Sequence, residues 1–410
     1  MKIGMVTAVY KPLVNGVTHM ISLYKKHLEE LGHEVTIFTL GDPDPQGEEP
    51  GVIRSPGKEV GSYGYYLSTR YTREAQERLR EMEILHCHHM LMSVDMAHRY
   101  ARCPIVYTNH TRYDLYAGTY TPLPRSATDV LMRQIWPEYT DLADVVITPS
   151  DSVRQVMLDF GVRRPIVVIE NGVDLRPFHS PPKPYTKTDL NIPETAVLLV
   201  YVGRVSHEKN ITVLLEQFAI AREIVPDLHL MVVGTGPAQD EVSTLITDLD
   251  IEDNVLITGG MAYADIPNIL AAADIFVTAS ITEVHPLTVI EAMAAGLPVA
   301  ATNSPGILDT VEPGKTGLLV SEPERGLAAA MVGLSVNAQK RARMSRAAII
   351  SSNKYDINLT IKNTLDLYEE LRYKRPDLER EKAHGRWYRD TSKLRPKIEQ
   401  LANLIRSGNV

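Results

Sequence analysis

A chain of 410 residues and 45.7 kDa exceeds what one ordinary hydrophobic core organises, so two domains are predicted. Hydrophobic residues at 44% and charged residues at 23% are the proportions of a globular protein. A net charge of −8 and a pI near 5.9 exclude the broad basic surface that nucleic-acid phosphates require.

The amino terminus, MKIGMVTAVYKP, reads as a first strand and not as a signal peptide. Nothing in the chain approaches the ~20 consecutive apolar residues of a membrane span, which predicts a cytoplasmic protein. The two cysteines, Cys87 and Cys103, both sit in apolar, strand-like surroundings. Two buried thiols in a reducing compartment are expected there, in preference to a disulfide.

In chain order, KIGMVTAVY is a buried strand, 16–31 is helical with Gly32 ending it, and HEVTIFTL is the second strand. Further strands are predicted at ILHC, PIVYT, DVVITPS and PIVVIE, with helices between most of them. A Pro-rich stretch, FHSPPKPYTKTDLNIPE, reads as a linker, placing the boundary at about 173–193. The alternation then repeats: strands AVLLVYVGR, HLMVVG, NVLITG, DIFVTAS and PVAAT, with helices near 211–224, 238–248, 266–273 and 287–295. Such repetition predicts two doubly wound parallel sheets facing across a cleft, with ligands at the carboxyl ends of the strands. The expected division is 1–175, a linker 176–193, 194–354, a helix over 355–371 crossing back to the first domain, and a tail over 372–410. Residues 371–410 hold 11 Lys or Arg against 5 Asp or Glu. An apolar stripe there (Ile398, Leu401, Leu404, Ile405) makes a basic amphipathic tail suited to an anionic membrane, to packing on the protein, or to self-association.

The segment SITEVHPLTVIEAMAAGLPVAAT carries the most chemistry. A helix starts near Pro286 and Leu287, directly after a strand, and its amino end suits a diphosphate. Glu283 precedes that turn and Glu291 lies inside the helix; carboxylates at these places can accept pairs of sugar hydroxyls. Against this stands a plainer reading, one helix-start acid and one solvated helix acid.

These residues do not stand alone. The Glu283-x7-Glu291 spacing followed by EAMAAGLPV, and Gly203-Arg204-x4-Lys209, resemble the retaining GT-B glycosyltransferases of family four, or group 1. VVGTGP (232–237), ITGG (257–260), AAADIFVTAS and NGVD (171–174) follow the same resemblance in order over about 1–370. The resemblance implies a GT-B fold and a metal-independent hexosyltransferase using a nucleotide-diphosphate sugar, with UDP-glucose favoured over GDP-mannose and no cofactor required. It makes Arg204 and Lys209 the cations on the leaving diphosphate and Glu283 their catalytic neighbour. Donor binding falls to Gly16, Gly203, Gly234, Gly236, Gly259, Met261, His285, Pro286, Leu287, Thr288 and Glu291. Asn15 replaces a usual glycine, and either contacts the sugar or only tolerates a left-handed turn. His110, after the strand PIVYT, faces the anomeric carbon by resemblance.

HTRYDLYAGTY and the first loop look most like the branch that glucosylates diacylglycerol, which makes a membrane lipid the expected acceptor and the inner face of the plasma membrane an expected location. A soluble or polysaccharide acceptor, a nucleotide-sugar epimerase and a non-catalytic sugar-nucleotide binder are the alternatives. The HCHHM cluster (His86, His88, His89) lacks a carboxylate or Cys set to complete a metal site, although His88 or His89 can line the acceptor side. Asp42-Pro43-Asp44, in a Pro/Gly-rich loop, is expected to be a solvated turn.

Overall fold

The structure, a computed structural model, describes residues 1–13, 15–45, 47–60, 65–112 and 125–374. It divides into two units: Met1–Glu170 with the chain from Thr360 onward, and Asn171–Leu359. The basic tail beyond Lys374 and the stretch 113–124, which holds most of HTRYDLYAGTY, lie outside the described residues.

The first unit is built on a parallel sheet. Its strands are β1 (Lys2–Val6), β2 (Glu34–Leu40), β3 (Val52–Ser55), β6 (Ile84–Cys87), β7 (Ile105–Thr108), β8 (Val145–Thr148) and β9 (Ile166–Val168), in the order β3-β2-β1-β6-β7-β8-β9. A short antiparallel pair, β4 (Lys58–Val60) and β5 (Tyr65–Leu67), stands beside it. Every residue of β6, β7 and β8 is buried, as a sheet covered on both faces demands. Helix Gly16–Glu30 follows β1, and Gly32, at φ +82°, turns the chain back into β2.

The second unit repeats the plan with β10 (Val197–Val202), β11 (Leu228–Val233), β12 (Val255–Gly259), β13 (Ile275–Thr278), β14 (Val299–Thr302) and β15 (Gly317–Val320), in the order β12-β11-β10-β13-β14-β15. Alternate residues of β10 serve opposite layers. Leu198, Val200 and Val202 meet Val289, Ile290 and Met293 of helix Leu287–Ala294. Leu199 and Tyr201 meet Leu214, Leu215 and Phe218 of helix Ile211–Ile224. Helices therefore cover both faces, which is the doubly wound arrangement.

In both sheets the strand order reverses at one place. In the first unit β1 has β2 on one side and β6 on the other; in the second, β10 has β11 and β13. Open α/β sheets bind ligands outside the carboxyl ends at such a reversal.

Three differences from the sequence reading have physical causes. The short strands β3, β15 and the β4–β5 pair are not anticipated, because three or four partly exposed residues give too little apolar pattern. The stretch 176–193 is no free connector. Phe178 and Ile192 enter the second unit's core, Lys187 pairs with Asp274 at 2.7 Å, and Asn268 accepts from the Lys183 N–H. Its prolines fix a packed path instead of a loose one. Finally, Asn15 does not take a left-handed turn: at φ −148° it is extended and caps the first helix.

Candidate functional site

Around the reversal in the second unit the backbone is built for close approach. β10 ends at Val202, and the Gly203 N–H donates to Val233 O. A Cβ on Gly234 would stand 1.9 Å from the Gly203 carbonyl oxygen, and one on Gly236 2.2 Å from that of Val205. The loops after β10 and β11 are thus in backbone contact, and no larger residue fits. Gly234 N–H in turn donates to Gly259 O at the end of β12.

Onto this frame the chain places its charges. Arg204 pairs with Glu208, four residues on, and the Arg204 carbonyl accepts from the Tyr201 hydroxyl at 2.8 Å. Lys209 Nζ donates to Glu283 Oε1 at 2.7 Å, joining the segment after β10 to the segment after β13. Both side chains are largely covered, at 24% and 16% exposure. Thr282 Oγ1 donates to Glu208 O, and Gly306 N–H to Glu283 O, so the acidic segment is fixed on both sides. A Cβ on Gly306 would meet Glu283 O at 2.5 Å.

Pro286 stands at the cap of helix Leu287–Ala294, whose start carries no side-chain cap. Leu287 and Thr288, in its first turn, are half-buried. His285, just before, is buried, and burial pushes its pKa down to about 3 with Lys354 adding to the effect, so the ring is neutral. Among the described residues its Nδ1 has no partner, as is also true of the buried hydroxyls of Ser206, Ser280 and Ser304. Unsatisfied polar atoms near strand ends are expected where a polar ligand supplies the missing bonds.

Glu291 is 3% exposed, and burial pushes its pKa up to about 7. The Tyr263 hydroxyl donates to its Oε1 at 3.0 Å and works in the opposite direction, favouring the carboxylate. Neither Glu283 nor Glu291 is the solvated acid of the plainer reading. Met261, between β12 and Tyr263, is partly buried against the core.

In the first unit, Asn15 Oδ1 accepts from the Val17 and Thr18 N–H groups at 3.0 Å each, and Thr18 Oγ1 accepts from the Asn15 N–H at 2.8 Å. The amide oxygen serves the helix start. Gly16, next to it, has open space where a Cβ would be. His88 follows β6 and His110 follows β7, and their rings meet with Nδ1 of the first 3.1 Å from Nε2 of the second. His110 is half-buried, yet enough protein surrounds its ring that burial, with His89 and His86 nearby, pushes its pKa down to about 3. His89 Nδ1 is engaged by Thr7 and the Ala8 N–H. Asp42 accepts from Tyr66 in an exposed turn. Cys87 and Cys103 are both buried and are not joined in a disulfide.

Comparison with known proteins covers both units. Residues 14–176 match the family described as Glycosyltransferase Family 4, and residues 183–350 match Glycosyl transferases group 1. The chain belongs to the group 1 glycosyltransferases. It is 27% identical over 390 residues to an alpha-monoglucosyldiacylglycerol synthase of Acholeplasma laidlawii, covering 90% of this chain and 97% of that one. It is 29% identical to the protein of the same name from Streptococcus pneumoniae, over 74% of this chain and 72% of that one. Among solved structures it resembles Anabaena Alr3699/HepE in complex with UDP, with a TM-score of 0.71, 21% identity and coverage of 90% and 100%. A sucrose-phosphate synthase from Thermosynechococcus elongatus gives the same TM-score at 21% identity, over 90% and 98%. These likenesses show the GT-B fold.

As a glycosyltransferase, the chain holds Arg204 on Glu208 and Lys209 on Glu283 in two ion pairs, and packs Gly203, Gly234 and Gly236 into one backbone cluster. Two contributors escape sequence reading, Glu208 and Tyr263. Glu208 is four residues from Arg204, but the two share no helix, so the spacing by itself signals no pair. Tyr263 meets Glu291 only through tertiary packing and no local signal announces it, while His88, a candidate for the acceptor side from the sequence, meets His110. Among the described residues no helix is long and apolar enough to cross a membrane.

Proposed function

We propose that this glycosyltransferase moves a glucosyl group from UDP-glucose to the free hydroxyl of diacylglycerol, with retention of anomeric configuration and without a metal. The lysine–carboxylate pair of Lys209 and Glu283, at the strand reversal of the second unit, carries the reading. A covered ammonium held at 2.7 Å from a carboxylate can turn to a phosphate oxygen when the donor arrives. Arg204 supplies a forked second cation. The ionised Glu291 accepts two hydroxyls of the nucleoside ribose, the backbone at Gly234, Gly236, Gly259 and Met261 frames the nucleoside, and Glu283 and the start of helix Leu287–Ala294 meet the hexose and diphosphate.

In the reaction the bond between the anomeric carbon and the β-phosphate oxygen breaks, and the acceptor oxygen bonds to that carbon from the same face. The acceptor proton passes to the departing phosphate, which leaves as UDP. Arg204 and Lys209 hold the charge that grows on it. His110 and the segment at Asn15 and Gly16 act on the transferred sugar from the first unit. The lipid acceptor is favoured by the two diacylglycerol-glucosylating relatives. The basic stretch 372–410 supports peripheral binding to an anionic bilayer at the inner face of the plasma membrane.

The test is incubation with UDP-glucose, and separately GDP-mannose, in the presence of diacylglycerol-containing vesicles or small soluble acceptors, with and without EDTA. UDP release together with an α-linked glucosyl lipid, unaffected by EDTA, is expected. Formation of an epimer, of a β-linked product, or of no product despite donor binding refutes the proposal.

A further inference from the structure

His88 and His110 sit just beyond the ends of the neighbouring strands β6 and β7. Their ring planes are 16° apart and the ring centres 5.3 Å apart. That separation is close to the 3.1 Å nitrogen–nitrogen distance plus two ring radii. The rings therefore meet edge to edge and nearly coplanar, each nitrogen's in-plane orbital directed at the other, instead of lying face to face. This is the favourable geometry for an imidazole–imidazole hydrogen bond.

Burial holds both rings neutral, so one nitrogen donates and the other accepts. The two arrangements differ at the far side of His88, whose Nε2 is buried and has no partner among the described residues. Were His110 the donor, His88 would carry its own proton on that Nε2, a buried N–H with no acceptor. With His88 as donor from Nδ1, the far side holds only a lone pair. Buried orphan donors are the rarer defect.

We propose that His88 is a positioning residue that donates from Nδ1 to His110 Nε2, fixing His110 in the tautomer that offers Nδ1–H to the transferred sugar. The proposal rests on the reading that His110 acts on that sugar. The neighbours of His88 make it a rigid donor. The His86 ring lies 4.2 Å from it and is pinned at both nitrogens, by Tyr368 OH at 2.6 Å and Thr108 Oγ1 at 2.5 Å. Tyr24 packs its ring edgewise on His88 and bonds through its hydroxyl to Thr364 at 3.2 Å. The hydrogen bond at one ring nitrogen of a neutral histidine sets which nitrogen carries the proton, and so what the other can offer a ligand.

The intact chain with 15N-labelled histidine, without ligand at neutral pH, reports the protonated nitrogen of each ring through two-bond proton–nitrogen correlations. His88→Asn and His110→Gln assign the two spin systems. Protons on Nδ1 of both rings are expected; a proton on Nε2 of His110 overturns the proposal. His88→Leu removes the donor and is expected to lower kcat by roughly tenfold to a hundredfold and to release His110 into mixed tautomers. His88→Asn keeps an amide N–H near the Nδ1 position and is expected to restore both. Equal losses in the two variants, with His110 unchanged in tautomer, overturn the proposal as well. If the leucine variant does not fold, the wild-type spectrum and the asparagine variant decide. His110→Ala with full turnover would instead remove His110 from the reaction, an outcome the tautomer measurement separates from failure of the pairing.

Discussion

Replacing Lys209 with alanine tests the ionic core of the site, and its consequences divide into two parts. In the resting chain, Glu283 loses the ammonium 2.7 Å away. Breaking a wholly buried pair by removing one partner costs ~3–5 kcal/mol. Here the lysine is 24% and the glutamate 16% exposed, so water recovers part of that, leaving about 1–2 kcal/mol of lost stability. During reaction, the departing phosphate loses a cation, which is expected to reduce kcat by a factor on the order of 10²–10³. The double variant Lys209→Ala/Glu283→Gln separates the two parts. Neutralising the carboxylate relieves the buried charge, so the urea midpoint returns most of the way while turnover stays low. Urea melts and steady-state UDP release, measured on wild type, Lys209→Ala, Glu283→Gln and the double variant, make a complete cycle. Recovery of turnover together with stability in the double variant would show that the lysine serves only to hold Glu283, and the phosphate role would be refuted.

Glu291 titrates with a pKa raised from 4.5 to about 7, so its folding contribution is fully present below pH 4.5 and is lost as pH rises to 7. Glu291→Gln should therefore gain stability relative to wild type between those limits, and a pH-independent difference in urea midpoint counts against it. The same carboxylate must be ionised to accept ribose hydroxyls, so UDP affinity measured by calorimetry should weaken as pH falls below 7 and lose that dependence in the variant. Gly234→Ala forces a Cβ to within 1.9 Å of a backbone oxygen, and a loss of ~1–3 kcal/mol or more is expected by thermal or urea unfolding; an unchanged melt refutes the close approach. Gly16→Ala meets no protein atom, so stability should stay within about 0.5 kcal/mol while UDP-glucose binding weakens; unchanged binding removes the first loop from the donor site. Deleting residues 376–410 should abolish sedimentation with anionic liposomes, and undiminished binding would refute a membrane role for the tail.

How much was legible beforehand depends on the range of the interaction. The doubled βαβ plan, the helix beginning at Leu287 and the helix beginning at Gly16 follow from apolar periodicity and from glycine and proline placement, which act over a few residues, whereas the cap that Asn15 makes was not read. The resemblance to a glycosyltransferase family rested on short motifs in order, and those mark the same backbone cluster that Gly203, Gly234 and Gly236 form. Edge strands such as β3 stayed hidden because a half-exposed strand needs little apolar sequence. The stretch 176–193 misled because proline signals a break in regular structure without saying whether the chain then packs.

Tertiary structure alone decided the chemistry of individual groups. The sequence by itself determined which residue types stand at the strand ends. It did not determine that Lys209 would meet Glu283 across 74 residues, that Glu291 would be buried under Tyr263, or that His88 would face His110 edge to edge. Charge state and proton position depend on burial and on partners brought close by folding, and neither is encoded in any local window of the chain.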